Sequence, residues 1–280
     1  MSSATAAAAS PRRRGIRSPA CQFRQKEGAE VARSPFDPLA ADYDAARPSY
    51  PDGMYDALEA AAGPLAGRLA VDCGAGTGIA TRQLAARGAR TISLDIGELM
   101  LRRALARSPG SCCLLADGNA MPLRASCADL ACFGQSWHWF DQHAAATEVA
   151  RILRPGGHWA AWWNHPAAGG QPWFDAYQNL LELATGHCRQ QHHAEADWEQ
   201  ESIADTGEFE PGVRAVVTWT RTLSTADWIT DNRSTSYVGA LRPAEREQLL
   251  AAVASVIAER FPGGQMEVPY RTAIWIARRR

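Results

Sequence analysis

Between Pro51 and Asn164 apolar residues follow two alternating rhythms: short continuous runs, and longer stretches with apolar positions three or four apart. "PDGMYDALEAAAG" has helical spacing and stops at Gly63, ahead of Pro64, and "IATRQLAARG" is a second helix ending at Gly88. "RLAVDCG", "TISLD" (Thr91–Asp95), "CCLLAD" and "ADLACFG" read as the first four strands, with the helix "GELMLRRALAR" between the second and third. "DQHAAATEVARILRPGG" reads as a helix capped by Asp141 and stopped at Gly156 and Gly157, after which "HWAAWWN" returns as a strand. This alternation predicts an α/β fold, a mainly parallel sheet with helices on both faces.

Past Asn164 the rhythm changes. "QPWFDAYQNLLELATG" is a helix, and "HCRQQHHAEADWEQESIADTG" is polar with helical fragments. "VRAVVTWTRTL" (Val213–Leu223) alternates as a strand, "ADWIT" and "RPAEREQLLAAVASVIAERF" are helical, and "PYRTAIWIARR" closes the chain as an antiparallel last strand. The late strands extend the sheet and the helices between them form a lid over one end. The first thirty-odd residues, rich in Ala, Ser and Arg, hold few large apolar side chains. The expected organisation is a flexible arm over 1–35, a core over 36–165, a helical cap over 166–264 with a sheet strand near 213–223, and the final strand over 265–280. Arg12, Arg13 and Arg14 read as part of a solvated tail, and Gln22 to Arg33 as a helix if the arm packs on a second copy, which makes the arm a candidate for homo-oligomerisation.

Composition narrows the function classes. The 280 residues are 46% hydrophobic and 21% charged, and the formal net charge is −1, so no overall positive field draws the chain to nucleic acid or an anionic membrane. No apolar stretch reaches the ~20 residues of a membrane-spanning helix, and the first forty residues lack the core of a secretory signal, so the expected location is cytoplasmic. The seven cysteines form no CxxC pair and suit neither a disulfide framework nor a zinc site; no metal site is predicted.

The chemistry concentrates in "VDCGAGTGIAT". A strand ending at Asp72 and a helix starting near Ile79 are joined by a turn with Gly74, Gly76 and Gly78, at the place where a ligand approaches backbone at the carboxyl edge of the sheet. A dinucleotide fingerprint needs a glycine at position 79, so isoleucine there argues against a nicotinamide enzyme. Asp72 would repel a pyrophosphate and suits a ligand with a positive ammonium and sulfonium. Asp95 ends the second strand, where a carboxylate accepts both hydroxyls of a ribose, and "LLADGNAMPL" ends the third strand with Asp117, beside the apolar Met121 and Leu123.

With "EVARILRPGG" before a further strand, these segments resemble the class I S-adenosylmethionine-dependent methyltransferases, in the small-molecule branch that includes ubiquinone/menaquinone-type and trans-aconitate-type enzymes. The resemblance covers roughly Phe36 to Asn164 and implies a Rossmann-like seven-stranded sheet. It also implies that Asp72, Gly74, Ala75 and Gly76 surround the methionine part of the cofactor, that Asp95 and Ile96 hold its ribose, and that Asp117 and Gly118 face its adenine. Gln135 would offer a carbonyl to the ammonium, and Tyr43 and Arg47, in "FDPLAADYDAARPSYP", would contact the cofactor from a covering segment. S-adenosylhomocysteine would be the product. A cofactor-binding protein without catalysis is the alternative class, because fold does not establish activity.

The acceptor is expected past the fourth strand, in "FGQSWHWFD", with His138 as a base or orienter and His165 as a second candidate. Ten tryptophans, among them Trp137, Trp139, Trp162, Trp163 and Trp173, gather in segments near the carboxyl edge. If several line a cavity, the acceptor is a bulky, hydrophobic secondary metabolite, with carbon methylation of a prenyl or terpenoid alkene as one form of that reading. Arg233, in "TDNRSTSY", is the candidate for a small carboxylic acid, and Asn232, Ser234, Ser236 and Tyr237 for a polar handle.

Overall fold

The computed structural model describes residues 47–108, 111–186 and 202–280. The expected arm over 1–35, Tyr43 and the start of the core at Phe36 lie outside the described residues, as does most of the polar stretch after Gly186. The sheet has seven strands in the order β3-β2-β1-β4-β5-β7-β6. Its first five are β1 (Leu69–Cys73), β2 (Arg90–Asp95), β3 (Cys112–Leu115), β4 (Ala128–Gly134) and β5 (Leu153–Pro166), all parallel to one another. The hairpin of β6 (Val213–Ser224) and β7 (Gln265–Arg278) adds to β5 through an antiparallel β5–β7 pairing.

Helix α1 (Asp52–Ala62) enters the fold, and α2 (Ile79–Ala86), α3 (Glu98–Arg107) and α4 (Gln142–Ile152) connect the parallel strands. Ala80 and Leu84 of α2 pack with Met54, Tyr55 and Leu58 of α1 on one face of the sheet. Ala145, Ala146 and Val149 of α4 pack with Trp137, Trp159 and Trp275 on the other. Asp141 caps α4 as expected, its carboxylate accepting the Ala144 N–H at 3.0 Å. The helix ends at Ile152 rather than at the glycine pair. Arg154 precedes Pro155, which disfavours helical geometry, and Leu153 already pairs with Ala128 of β4.

The pairing Pro166↔Tyr270 is the last between β5 and β7, and Gln265↔Ser224 the last between β7 and β6, so the hairpin runs past the carboxyl edge of the parallel strands. There it meets α5 (Pro172–Thr185), α6 (Thr225–Arg233), α7 (Ser236–Gly239) and α8 (Pro243–Arg260). Trp173, Tyr177, Trp228, Val253 and Tyr270 close a second core beneath these helices. No helix among the described residues is long and apolar enough to cross a membrane.

Trp159 is fully buried, with its ring 5.4 Å from that of Trp137. Replacing Trp159 by Ala should cost about 3 to 5 kcal/mol of stability, read by urea unfolding; a loss below about 1 kcal/mol would mean that the site collapses around the smaller side chain.

Candidate functional site

The glycine turn is shaped by three left-handed residues, Gly74, Gly76 and Gly78, with φ of +67°, +56° and +78°. Side chains rarely adopt these angles, and a Cβ on Gly74 would stand 2.6 Å from that of Ser136. The turn is laid over the end of β2. The Gly74 and Ala75 N–H groups donate to Leu94 O at 2.8 and 3.1 Å. Asp95 fastens it from the same strand end, its carboxylate accepting Gly76 N–H at 2.8 Å and Gly97 N–H at 2.7 Å. Ile96 is half-buried beside it.

The loop after β3 completes this edge. Asp117 is exposed and accepts the Asn119 N–H at 2.8 Å, whereas Gly118 is buried. A Cβ on Gly118 would meet the Phe140 ring at 2.2 Å, and the same ring lies 3.5 Å from the position of a Cβ on Gly74. Phe140 therefore spans the loops of β1 and β3. Helix α4 holds this region from below: Arg151 donates to Met121 O and Leu123 O at 2.8 and 2.7 Å, while Glu148 accepts Met121 N–H at 2.8 Å. The hydrogen bond from Arg151 keeps the Glu148 carboxyl below its ordinary pKa.

Asp72 takes a different position from the one expected. Its carboxylate is 1% exposed and accepts the Thr81 hydroxyl of α2 at 2.6 Å, with Ser93 Oγ 2.9 Å from that hydroxyl. The alternation of β1 turns this side chain into the α2 face instead of toward the cleft. Burial pushes its pKa up to about 6, against the lowering effect of the Thr81 hydrogen bonds.

After β4 the chain turns sharply. Gln135 has φ +55°, an uncommon conformation for a residue with a side chain, and its N–H donates to Trp162 O at 2.8 Å. Ser136 Oγ donates to Cys73 O at 2.6 Å, which joins this turn to the end of β1. In the short turn Trp137–Trp139, His138 is half-buried, and the Trp163 indole N–H donates to its Nδ1 at 3.4 Å. Trp139 is 50% exposed. Trp137 is fully buried against Phe133, Phe140 and Trp159, so it is a core residue and not the lining of an open cavity.

A cleft of about 360 Å³ lies between the segment before α1 and the end of β6, lined by Arg47, Ser49, Trp219, Arg221, Leu223 and Asp227 among others and by no residue of the glycine turn. Arg221 donates to Asp231 at 2.8 Å and to Tyr270 Oη at 3.3 Å, and Arg47 Nε lies 3.5 Å from the same Asp231. Arg233 is not part of this lining, and its guanidinium is bidentate to Glu247 on α8. Position 221 is an inward position of the alternating "VTWTRTL", and a charge there was the signal that could have found it. Tyr237 is half-buried against the core of the cap, and His165 is half-buried opposite Arg271.

Residues 71–161 match the family model of a methyltransferase domain. This stretch belongs to the class I S-adenosylmethionine-dependent methyltransferases. An uncharacterized methyltransferase of Mycobacterium tuberculosis is 38% identical over 129 residues, 46% of this chain and 51% of that protein. The chain thus spans about half the length of that curated relative. A methyltransferase-like protein of Schizosaccharomyces pombe is 27% identical over 85% of this chain and 92% of its own. A candidate type II methyltransferase from Anaeromyxobacter dehalogenans shares the fold, with a TM-score of 0.61 at 24% identity over 84% of this chain and 97% of the other.

The methyl donor of this family, S-adenosylmethionine, fits the residues of the glycine turn on two observations. Thr77 Oγ1 is buried within the turn with no protein partner among the described residues. The Asp95 carboxylate ends β2, and a carboxylate accepts at about four lone-pair sites, so fastening the turn is compatible with accepting a ribose diol. Asp72 does not fit, because its carboxylate is inside.

The raised pKa of Asp72 has a sign that can be measured. Below about pH 3.8 the group is protonated in both states and costs nothing; between there and about 6 the unfolded chain ionises first, so folding loses free energy as pH rises. The full difference is on the order of 3 kcal/mol. Urea unfolding of the wild type and Asp72→Asn from pH 4.5 to 7.5 should show the variant gaining relative stability toward high pH; a constant difference would place the Asp72 pKa near its ordinary value.

Proposed function

We propose that the protein transfers a methyl group from S-adenosylmethionine to a small, mainly hydrophobic secondary metabolite and releases S-adenosylhomocysteine. The observation that carries this reading is the Asp95 carboxylate, which joins the β1 turn to the end of β2 by hydrogen bonds to Gly76 and Gly97 within the matched methyltransferase domain. When bound, the donor supplies an electrophilic methyl. Gly74, Ala75 and Gly76 would surround its methionine part, Asp95 and Ile96 its ribose, and Asp117, Gly118 and Phe140 its adenine. The cap over the carboxyl edge supports exclusion of water, and alignment of the acceptor can contribute ~7 kcal/mol or more to the rate.

Two features bear on the acceptor. Among the described residues Trp137, Trp159, Trp162, Trp163, Trp173, Trp228 and Trp275 are buried in the cores, which leaves Trp139 and Trp219 of the described tryptophans as aromatic faces for a substrate and weakens the case for an alkene acceptor. The cations of the cleft, Arg47 and Arg221, are already paired with Asp231, so they add no support for a carboxylate handle there. A cytoplasmic location and a homo-oligomer built through the arm belong to the same proposal.

Incubation with donor carrying a labelled methyl and an extract of the source organism, followed by mass spectrometry, should give a labelled metabolite heavier by one methyl. No labelled product from any fraction, with cofactor binding intact, would favour the non-catalytic alternative. Calorimetric titration with S-adenosylhomocysteine should show Asp95→Ala weakening binding by about 1 to 3 kcal/mol; an unchanged affinity would remove Asp95 from the site.

A further inference from the structure

Histidine 138 makes a contact that bears on its protonation. Trp163, on β5, is 2% exposed and edge-on to Trp275, with ring centroids 5.6 Å apart. Its indole nitrogen, 3.4 Å from His138 Nδ1, can only donate. Nδ1 must therefore present its lone pair, and the neutral ring carries its proton on Nε2. A doubly protonated ring would set N–H against N–H. The imidazole is held on its own side by the turn of residues 137–139, fixed to β1 through Ser136, and by the Trp139 ring at 4.9 Å.

We propose that Trp163 is a positioning residue that fixes His138 as an Nε2–H donor, and that the acceptor is a molecule already ionised at oxygen when it binds. The second half rests on the methyl-transfer reading above. A neutral alcohol must lose a proton during transfer, and the only lone pair on a neutral His138 is engaged by Trp163. An oxygen anion has no such need: it attacks the methyl carbon, the carbon–sulfur bond breaks with its electron pair going to sulfur, and an ester or ether and a thioether result. The Nε2–H would orient that oxygen by a charge-assisted hydrogen bond. Carboxylic acids, enols of 1,3-dicarbonyl compounds and acidic phenols are the matching classes.

Nitrogen NMR of protein labelled with ¹⁵N-histidine tests the tautomer without a substrate. The chain has seven histidines, and the His138 signals are assigned by their loss in His138→Gln. At neutral pH the wild type should show one neutral tautomer with the proton on Nε2, and Trp163→Phe, checked for folding by circular dichroism, should show a mixture. A proton on Nδ1, a doubly protonated ring in the wild type, or an unchanged tautomer in folded Trp163→Phe would overturn the proposal; if Trp163→Phe does not fold, the wild-type spectrum alone decides. The acceptor class is tested with labelled donor and a panel of carboxylic acids, 1,3-diketones and matching alcohols. Methylation of acids or enols, with His138→Gln retaining turnover that His138→Ala loses by about a hundredfold, supports it. Preferred methylation of the alcohols, or equal losses in the two variants, overturns it. Loss of methyl transfer to every compound and extract would sink the functional reading while leaving the tautomer result standing.

Discussion

The carboxylate of Asp95 is the fastening on which the edge of this sheet depends. Gly74, Gly76 and Gly78 give the β1 turn angles that other residues resist, and the same freedom makes it costly to order. Two charge-assisted hydrogen bonds from one side chain, of about 1.5 to 3 kcal/mol each, offset that cost and join the turn to the start of α3. The parallel register sets where that carboxylate stands. Cys73 lies opposite Leu94, so the turn begins where β2 ends, and a slip by one residue would move Asp95 to the other face.

Most of the sheet was legible because its strands are read by continuous or alternating apolar runs and its helices by spacing, two signals that depend on burial alone. The end of α4 was not, because "RILRPGG" holds two stops, and the earlier one, set by Arg154 before Pro155 and by pairing of Leu153, wins over the glycines. Asp95 was legible as the acid closing a strand, but the same logic misjudged Asp72. An acid at a strand end points to the edge or into a helix interface according to its place in the alternation, and only the packing of Thr81 beneath it decides which.

The side chains around the cap show the limit of local signals. Asn164 Nδ2 donates to Ser49 O at 3.2 Å, Thr272 donates to Asn164 Oδ1 at 2.6 Å, and the Trp219 indole N–H donates to Thr272 at 2.9 Å. This chain links the segment before α1 to β5, β7 and β6, across sequence separations of 115, 108 and 53 residues. None of its members carries a motif. Each becomes meaningful only when the antiparallel hairpin brings them to one layer, which is why the sequence pointed to the conspicuous Arg233 and passed over Arg221.

The ion cluster of Arg47, Arg221 and Asp231 extends the same linkage. Arg221 and Asp231 are nearly inaccessible, at 9% and 4% exposure, and taking charges out of water is costly enough that an apolar trio of similar volume can be as stable. Stability alone is therefore a weak reason for the cluster. Direction is a better one, since apolar contacts tolerate sliding whereas a guanidinium on a carboxylate fixes angle and distance. Arg47 stands before α1, Arg221 on β6 and Asp231 on α6, so one carboxylate sets the entering segment and the cap against the hairpin. The cleft lies along that junction, lined by Arg47 and Arg221 of the cluster together with Trp219 and Leu223 of the cap core.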